Sequence, residues 1–143
     1  MQGLRDVQRC NLRNVQRRRV NSSPESPTRR AAEQLGRMAE HDVARAWETK
    51  GFEVLARRLR TGVGELDLVV ADHHTLVFIE VKSRRSMAEA AYSISARQQS
   101  RLLEGASLAL AANPAWQRQN TRVDVALVSP GGIETIEDAI RYQ

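Results

Sequence analysis

The chain has 143 residues, with 22 Lys and Arg against 17 Asp and Glu, and a single cysteine. Its length predicts one domain with a real hydrophobic core and leaves no room for two. The lone Cys10 excludes an internal disulfide. Aromatic residues make up only 4% of the chain, which argues against a base-stacking platform for single-stranded nucleic acid.

The net charge of +5 is unevenly distributed. Residues 1–30 hold eight arginines and two acids, so this segment carries a net charge of +6. Residues 31–143 hold fourteen basic and fifteen acidic side chains, which leaves a net charge of −1. Attraction of nucleic acid to the body of the protein therefore depends on local clusters of basic residues and not on bulk charge.

Residues 1–30 are rich in arginine, poor in acid and end in a stretch rich in serine and proline. Such a composition buries too little apolar surface to fold. We therefore expect a disordered basic N-terminal arm, with or without contact to nucleic acid, followed by a folded domain of residues 31–143. Two other interpretations stay open, namely residues added by an upstream start codon and an organellar targeting segment.

The chain contains no apolar run that approaches the length of a membrane span, and its N-terminus has no hydrophobic signal core. The single cysteine fits a reducing compartment. We therefore expect a cytoplasmic protein without a membrane partner.

Two segments have the apolar periodicity of amphipathic helices. The first is expected to begin within residues 28–31 and to run to about Lys50, just before a glycine. The second is expected to span roughly Ser95–Ala112 and to stop before Pro114.

Five segments have the composition and alternation of β-strands. In chain order they are Phe52–Arg58, Glu65–Ala71, Leu76–Lys82, Arg122–Ser129 and Ile133–Ile136. The short polar connection between the second and third strands predicts an antiparallel hairpin. The long crossover through the second helix allows the fourth strand to lie parallel to a neighbour. We therefore predict an α/β fold of order α-β-β-β-α-β, with a mixed central sheet flanked by helices and a terminal helical turn.

The predicted hairpin brings acidic side chains together. A turn centred within residues 73–74 opposes residues whose numbers sum to 147, which sets Asp67 opposite Glu80 and Glu65 opposite Lys82. Strict alternation places these four side chains on one face of the hairpin. The face should turn apolar toward the hairpin loop, so the charges interrupt a buried surface and are typical of a site.

The opposite face of the hairpin is expected to be apolar throughout. Its residues are Leu66, Leu68, Val77, Ile79 and Val81. A solvated face would be polar along its whole length, so both faces of this hairpin are predicted to be covered by other parts of the chain.

Two directly opposed carboxylates repel each other by about 3–4 kcal/mol at a separation of roughly 4–5 Å and an effective dielectric constant near 20. A shared proton, a neighbouring lysine or a divalent cation relieves this repulsion. Oxygen atoms from Asp67 and Glu80 and the carbonyl of Val81 suit Mg²⁺ or Mn²⁺ with several waters retained. Lys82 would then orient an attacking water or stabilise charge on a phosphate. A salt-bridge network among the two acids and the lysine is the open structural alternative.

Glu40 is a third candidate acid. It lies at the border of the apolar stripe of the first helix, beside Gly36 and Ala44 one turn away on either side. Small neighbours allow the helix to approach the sheet closely, which would bring this carboxylate to the site. The alternative is an exposed helix glutamate.

The order of these blocks resembles a known family. From about Gly36 to Asp124 the chain resembles the YraN-like family of bacterial proteins, within the PD-(D/E)XK nuclease superfamily. The matching stretches are Gly36 to Glu40, Gly64 to Val69, Val77 to Arg84, Ile94 to Leu102 with Gln99 and Arg101, and Arg122 to Val125. The ordered set of blocks is much more specific than an isolated Asp and Glu-x-Lys pattern.

The resemblance implies a restriction-endonuclease-like core similar to that of archaeal Holliday-junction resolvases. By the same resemblance, Glu40 looks like the helix acid and a further metal ligand, Asp67 and Glu80 look like metal ligands, and Lys82 looks like the catalytic lysine. Gln99 looks like the helix-borne polar residue near the site. The family commonly has Lys-Gln where this chain has Gln98 and Gln99, which removes a basic side chain from the expected contacts with substrate.

The sequence thus predicts a Mg²⁺- or Mn²⁺-dependent endonuclease acting on DNA in preference to RNA, with branched or structured DNA as candidate substrates. Candidate phosphate contacts are the arginines that flank the site in sequence, namely Arg57, Arg58, Arg60, Arg84 and Arg85. Surface ion pairing is the alternative for each of them. A homodimer is expected only by analogy with resolvases. The rival interpretation is a non-catalytic nucleic-acid-binding or interaction module on a nuclease scaffold.

Overall fold

The computed structural model describes residues 26–141, apart from the side chain of Tyr92. The chain divides into a unit of residues 1–31 and a unit of residues 32–143. The predicted basic arm falls largely on residues 1–25, which lie outside the described part. None of the described helices is long and apolar enough to cross a membrane.

The described residues form helices on both faces of one sheet. The helices are α1 (Pro27–Thr49), α2 (Met87–Tyr92) and α3 (Ala96–Ala112), and a 3-10 turn covers Pro114–Trp116. The strands are β1 (Glu53–Thr61), β2 (Gly64–Ala71), β3 (Thr75–Ser83), β4 (Asn120–Ser129) and β5 (Gly132–Ile136). They lie in the order β1-β2-β3-β4-β5, and all neighbours are antiparallel except β3 and β4. The predicted α/β fold with a mixed sheet flanked by helices is therefore confirmed.

Local chemistry sets the ends of the two long helices. Gly51 follows α1 with a φ of +93°, a conformation that stops a helix and that glycine adopts without steric cost. The hydroxyl of Ser95 accepts the Gln98 N–H at 3.2 Å and caps the start of α3. Helix α2 was not predicted, because six residues are too few to show a helical period.

Each face of the sheet has its own apolar core. Helix α1 covers one face, where the buried residues are Val43, Ala44, Trp47, Leu68, Val70, Val77, Ile79 and Ala126. Helix α3 covers the other face, and its buried residues there include Leu102, Ala106 and Ala109 against Val69, Phe78 and Val125. Covering both faces leaves the edges and ends of the strands as the places where polar side chains reach solvent.

The alternation of β2 breaks at Asp67. Leu66 packs in the core under α3 together with Val69, whereas strict alternation would put it with Leu68 under α1. The facing strand β1 is irregular at the same level, since Arg58 has a φ of +48°. The prediction that Leu66 shares a face with Leu68 is therefore wrong. The alternation of side chains between the two faces of the sheet is interrupted at Asp67.

The hairpin of β2 and β3 has the predicted register over only part of its length. The opposed pairs run from Ala71 with Leu76 to Leu68 with Ile79, and their numbers sum to 147 as expected. Beyond this rung β2 continues to pair with β1, and β3 continues to pair with β4. We call this gap, between residues 65–67 of β2 and residues 80–82 of β3, the fork. The predicted backbone pairings of Asp67 with Glu80 and of Glu65 with Lys82 are both wrong, since each strand bonds to its outer neighbour there.

The segment after β5 is held by a buried acid. Asp124 on β4 is fully buried, and its carboxylate accepts two hydrogen bonds from the Arg122 guanidinium, both at 3.1 Å. It also accepts the Asp138 N–H at 2.8 Å, while the Ile140 N–H bonds to the carbonyl of Val123. The predicted terminal helical turn is wrong for residues 137–141, because these N–H groups bond to β4 and not within a helix.

This network predicts a large stability effect at Asp124. Replacing it by alanine leaves the Arg122 guanidinium and the Asp138 N–H without their acceptor, so Asp124→Ala should lower the free energy of unfolding by about 3 kcal/mol or more. The measurement is urea denaturation followed by circular dichroism. The exposed Asp42 offers a control, and Asp42→Ala should change stability by less than about 0.5 kcal/mol. Equal effects of the two substitutions would contradict the role assigned to Asp124.

Candidate metal centre at the fork

Two carboxyl groups meet at the mouth of the fork. Oδ2 of Asp67 accepts the backbone N–H of Val81 at 2.8 Å, so this side chain bonds to a strand that the β2 backbone no longer pairs with. The carboxyl group of Glu80 lies within hydrogen-bonding reach of Asp67. The Glu80 side chain is only 8% exposed, so the two acids share a site largely shielded from solvent.

This burial changes the protonation of the acid pair. Desolvation, followed by the charge and hydrogen bonding of Asp67, raises the pKa of Glu80 from 4.5 to about 8. The neighbouring Lys82 acts in the opposite direction and offsets only part of the rise. Near neutral pH the pair therefore retains a proton when no other cation is close enough to balance the two carboxylates.

A lysine and an amide complete the immediate surroundings of Glu80. The Nζ of Lys82 lies 3.3 Å from Oε1 of Glu80, and the lysine side chain is 13% exposed. The Nε2 of Gln98, on α3, donates to the same Oε1 at 3.2 Å. One carboxylate oxygen thus receives a charged donor from its own strand and a neutral donor from the helix above.

The helix-borne amide at the site is Gln98, whereas sequence analysis predicted Gln99. Each residue of an α-helix is rotated by about 100° from the last, so the next side chain points elsewhere. Gln99 lines a different groove, together with Ser100, Leu103 and Ser107. A signal for Gln98 was available in the sequence, because it lies four residues before Leu102, which is on the buried, sheet-facing side of α3.

Glu40 lies on the α1 side of the fork but is paired with an arginine. The Nε of Arg58 lies 2.8 Å from Oε2 of Glu40. Within residues 26–141, no group of three or more His, Cys, Asp or Glu side chains has an arrangement that could hold a metal ion. The structure therefore brings Asp67 and Glu80 together but leaves Glu40, the predicted further ligand, in an ion pair of its own.

The predicted phosphate-binding arginines have different surroundings. Arg58 is paired with Glu40, and Arg57 forms a longer, exposed ion pair of 3.8 Å with Glu48. Arg60 is exposed and lies opposite Glu65 in the ladder of β1 and β2. These three arginines therefore face acids of their own chain at or near the fork.

Arg84 and Arg85 follow β3 and are both exposed. Together with Lys82 they line a groove of about 710 Å³, which also contacts Gly36 and Glu40 of α1. Of the five predicted arginines, these two lie along a groove that leads to the fork.

The donor atoms at the fork fit a hard divalent cation. Mg²⁺ is usually bound through one or two carboxylates and keeps several of its waters, and the fork offers the carboxylates of Asp67 and Glu80. The N–H and C=O of one residue in an extended strand point to the same side. Because the Val81 N–H points to Asp67, the Val81 carbonyl also faces the fork. Burial and the neighbouring Asp67 raise the pKa of Glu80, and a bound cation would relieve the repulsion between the two acids.

The raised pKa of Glu80 predicts a pH-dependent stability. Between the unfolded pKa of 4.5 and the folded pKa of about 8, the folded protein binds the proton more tightly than the unfolded chain does. The free energy of unfolding should therefore fall as the pH rises from about 5 to about 8, by at most about 1.4 kcal/mol for each pH unit. The measurement is urea denaturation at a series of pH values in the presence of a chelator.

The substitution Glu80→Gln should flatten this slope and raise stability at pH 8, because the amide stays neutral and still accepts a hydrogen bond. Glu134→Gln, at an exposed position on β5, should keep the slope of the unchanged protein. A slope that survives in Glu80→Gln would show that another group carries the pH dependence.

Comparison with known proteins places the chain in a family. The model of the uncharacterised protein family UPF0102 matches residues 39–128, a range that includes every residue of the fork. A UPF0102 protein of Acidiphilium cryptum is 48% identical over 123 residues, which cover 86% of this chain and 96% of the relative. One from Azorhizobium caulinodans is 44% identical over 124 residues, with 84% and 95% covered. The chain therefore belongs to the uncharacterised protein family UPF0102, the YraN-like family that its sequence resembles.

Proposed function

We propose that the protein is a Mg²⁺- or Mn²⁺-dependent endonuclease that hydrolyses phosphodiester bonds in DNA, with branched or structured DNA as the substrate class. The observation that carries the proposal is the meeting of the buried Glu80 and the partly buried Asp67 at a point where two strands separate, with Lys82 3.3 Å from Glu80. In this proposal the domain has the restriction-endonuclease-like arrangement of the PD-(D/E)XK superfamily.

Asp67, Glu80 and the carbonyl of Val81 would hold the cation. When bound, the cation would supply Lewis-acid stabilisation of the charge that develops on the phosphate. Asp67 is fixed for this purpose by the Val81 N–H, and Glu80 by the amide of Gln98. The two ligands are thus positioned by hydrogen bonds before any cation arrives, which limits the reorganisation needed on binding.

Lys82 is proposed as the catalytic lysine. Its ammonium group lies beside Glu80 in a largely buried position, where a charge interacts more strongly than it does in bulk water. From there it would donate hydrogen bonds to a phosphate oxygen or hold the attacking water in line with the scissile bond. The contact with Glu80 at 3.3 Å orients the lysine before the substrate arrives.

Nucleic acid is the proposed partner, and DNA is favoured over RNA only by the resemblance. Arg84 and Arg85 would contact phosphates along the groove that leads to the fork, which positions a strand without reading its bases. Arg57 and Arg60 would add contacts on the β1 side. A homodimer in the cytoplasm is the proposed working state, by analogy with resolvases.

A second candidate function is a non-catalytic nucleic-acid-binding or interaction module on the same scaffold. It is favoured by the surroundings of the acid pair, since Glu40 is occupied by Arg58 and a neutral Gln98 stands where the family commonly has lysine. The intact set of Asp67, Glu80 and Lys82 argues for the enzyme.

The proposal predicts cleavage of at least one member of a panel of branched, flapped, duplex and single-stranded DNAs and RNAs in Mn²⁺ or Mg²⁺. Each of Asp67→Ala, Glu80→Ala and Lys82→Ala should lower the cleavage rate by about a hundredfold or more, because each removes a group that acts on the reacting phosphate. Glu134→Ala serves as the matched control and should cleave at the unchanged rate. The measurement is product formation on denaturing gels.

Cleavage that persists in all three fork variants would refute the mechanism. If the unchanged protein cuts nothing on the panel but binds some of its members without a divalent cation, the binding-module interpretation replaces the enzyme. Circular dichroism of each variant separates loss of chemistry from loss of folding.

A further inference from the structure

Arg58 has an unusual backbone conformation for a residue inside a strand. Its φ of +48° is one of two positive φ values among the non-glycine residues of the described part of the chain. The other belongs to Asp138, whose N–H is fixed by the buried Asp124. A non-glycine residue in the left-handed region is strained and persists only where other contacts hold it. The conformation of Arg58 therefore needs an explanation.

The contacts of its side chain supply that explanation. The Nε of Arg58 lies 2.8 Å from the carboxylate of Glu40 on α1. Hydrogen bonding to Glu40 is the main cause that raises the pKa of Arg58, and the charges of Glu65 and Asp67 add to it. One guanidinium thus interacts with acids of two elements, Glu40 of α1 and both Glu65 and Asp67 of β2, and Asp67 is one member of the acid pair. The neighbours Arg57 and Leu59 keep their pairing with β2.

We propose that Arg58 is the resident counter-cation of the fork: it holds Glu40 apart from the acid pair, and a divalent cation must displace it before Glu40 can serve as a third ligand. This inference rests on the proposed cation site of the nuclease. Arg58 is then a positioning residue that acts through Glu40 and sets the affinity of the fork for divalent cations.

The exposure of the pair fits a displaceable contact. The side chain of Arg58 is 38% exposed and that of Glu40 is 20% exposed. Ion pairs at partly exposed positions are weak, and a divalent cation with two or three carboxylate ligands can bind more strongly. In the cation-free protein the Arg58 guanidinium lowers the repulsion among the acids, and it also repels an incoming cation. Arg58 therefore stabilises the cation-free protein and weakens cation binding.

The test is a Mn²⁺ titration of the full chain, followed by electron paramagnetic resonance of free Mn²⁺ and by calorimetry. Arg58→Gln should lower the Kd for Mn²⁺ by roughly three- to tenfold, because Glu40 is released and a positive charge is removed. Arg57→Gln is the matched control, since it removes the adjacent arginine from an ion pair with another acid of α1. It should leave the Kd within about 1.5-fold of the unchanged protein.

A double variant tests the path through Glu40. In a Glu40→Gln background, Arg58→Gln should change the Kd by less than about twofold, because the third acid is already absent. A Kd for Mn²⁺ that falls by roughly three- to tenfold in that background as well would mean that Arg58 acts by its charge alone, and it would overturn the inference. Unchanged or weaker Mn²⁺ binding by a folded Arg58→Gln protein would overturn it as well. If Arg58→Gln does not fold, Arg58→Gly replaces it, because glycine accepts the positive φ.

These results separate the inference from the proposed function. Tighter Mn²⁺ binding by Arg58→Gln, together with no cleavage on the nucleic-acid panel, would support the counter-cation and refute the nuclease. Cleavage that is lost in Asp67→Ala, together with a Kd for Mn²⁺ that Arg58→Gln does not change, would support the nuclease and refute the counter-cation. If neither the unchanged protein nor any variant binds Mn²⁺ at millimolar concentration, both the inference and the cation site are overturned.

Discussion

The architecture of the site depends on one hydrogen bond, from the backbone N–H of Val81 to the carboxylate of Asp67. Where β2 and β3 part, the N–H groups of β3 that point into the gap lose their backbone acceptors, and a buried N–H without an acceptor costs about 1–3 kcal/mol. The Asp67 side chain replaces the missing carbonyl. It therefore closes the ladder of the sheet and, by the same contact, fixes a carboxylate next to Glu80. The Asp67 side chain thus completes the hydrogen bonding of the sheet and also places a carboxylate in the candidate site.

The fork also holds a buried acid with a raised pKa. Glu80 is shielded from water, its pKa is raised to about 8, and the lysine beside it does not fully compensate. Most buried acids in proteins are paired or hydrogen-bonded well enough to ionise, and acids that are not are found more often at functional sites than elsewhere. Burial and the neighbouring Asp67 outweigh the effect of Lys82 on Glu80. A buried carboxyl group with a raised pKa therefore marks the fork as a candidate functional site.

The regular alternation of side chains in β1 and β2 is interrupted at the level of the fork. At the level of Arg58 and Asp67 both strands depart from strict alternation, so Leu66 packs under α3 while Arg58 reaches Glu40 on α1. The positive φ of Arg58 and the opening of the hairpin thus lie at the same level of the sheet, and β3 there keeps its regular pairing with β4.

The sequence by itself determined the element order, most element boundaries, the hairpin register of 147 as far as Leu68 and Ile79, the meeting of the Asp67 and Glu80 side chains, and the family. These follow from local periods and turn chemistry, which act over a few residues. Only the tertiary structure decided where the hairpin opens, which face Leu66 takes, that Gln98 and not Gln99 meets Glu80, and that Arg58 holds Glu40. Each of these depends on competition between distant partners for the same backbone group or charge, and no local pattern in a sequence records the outcome of that competition.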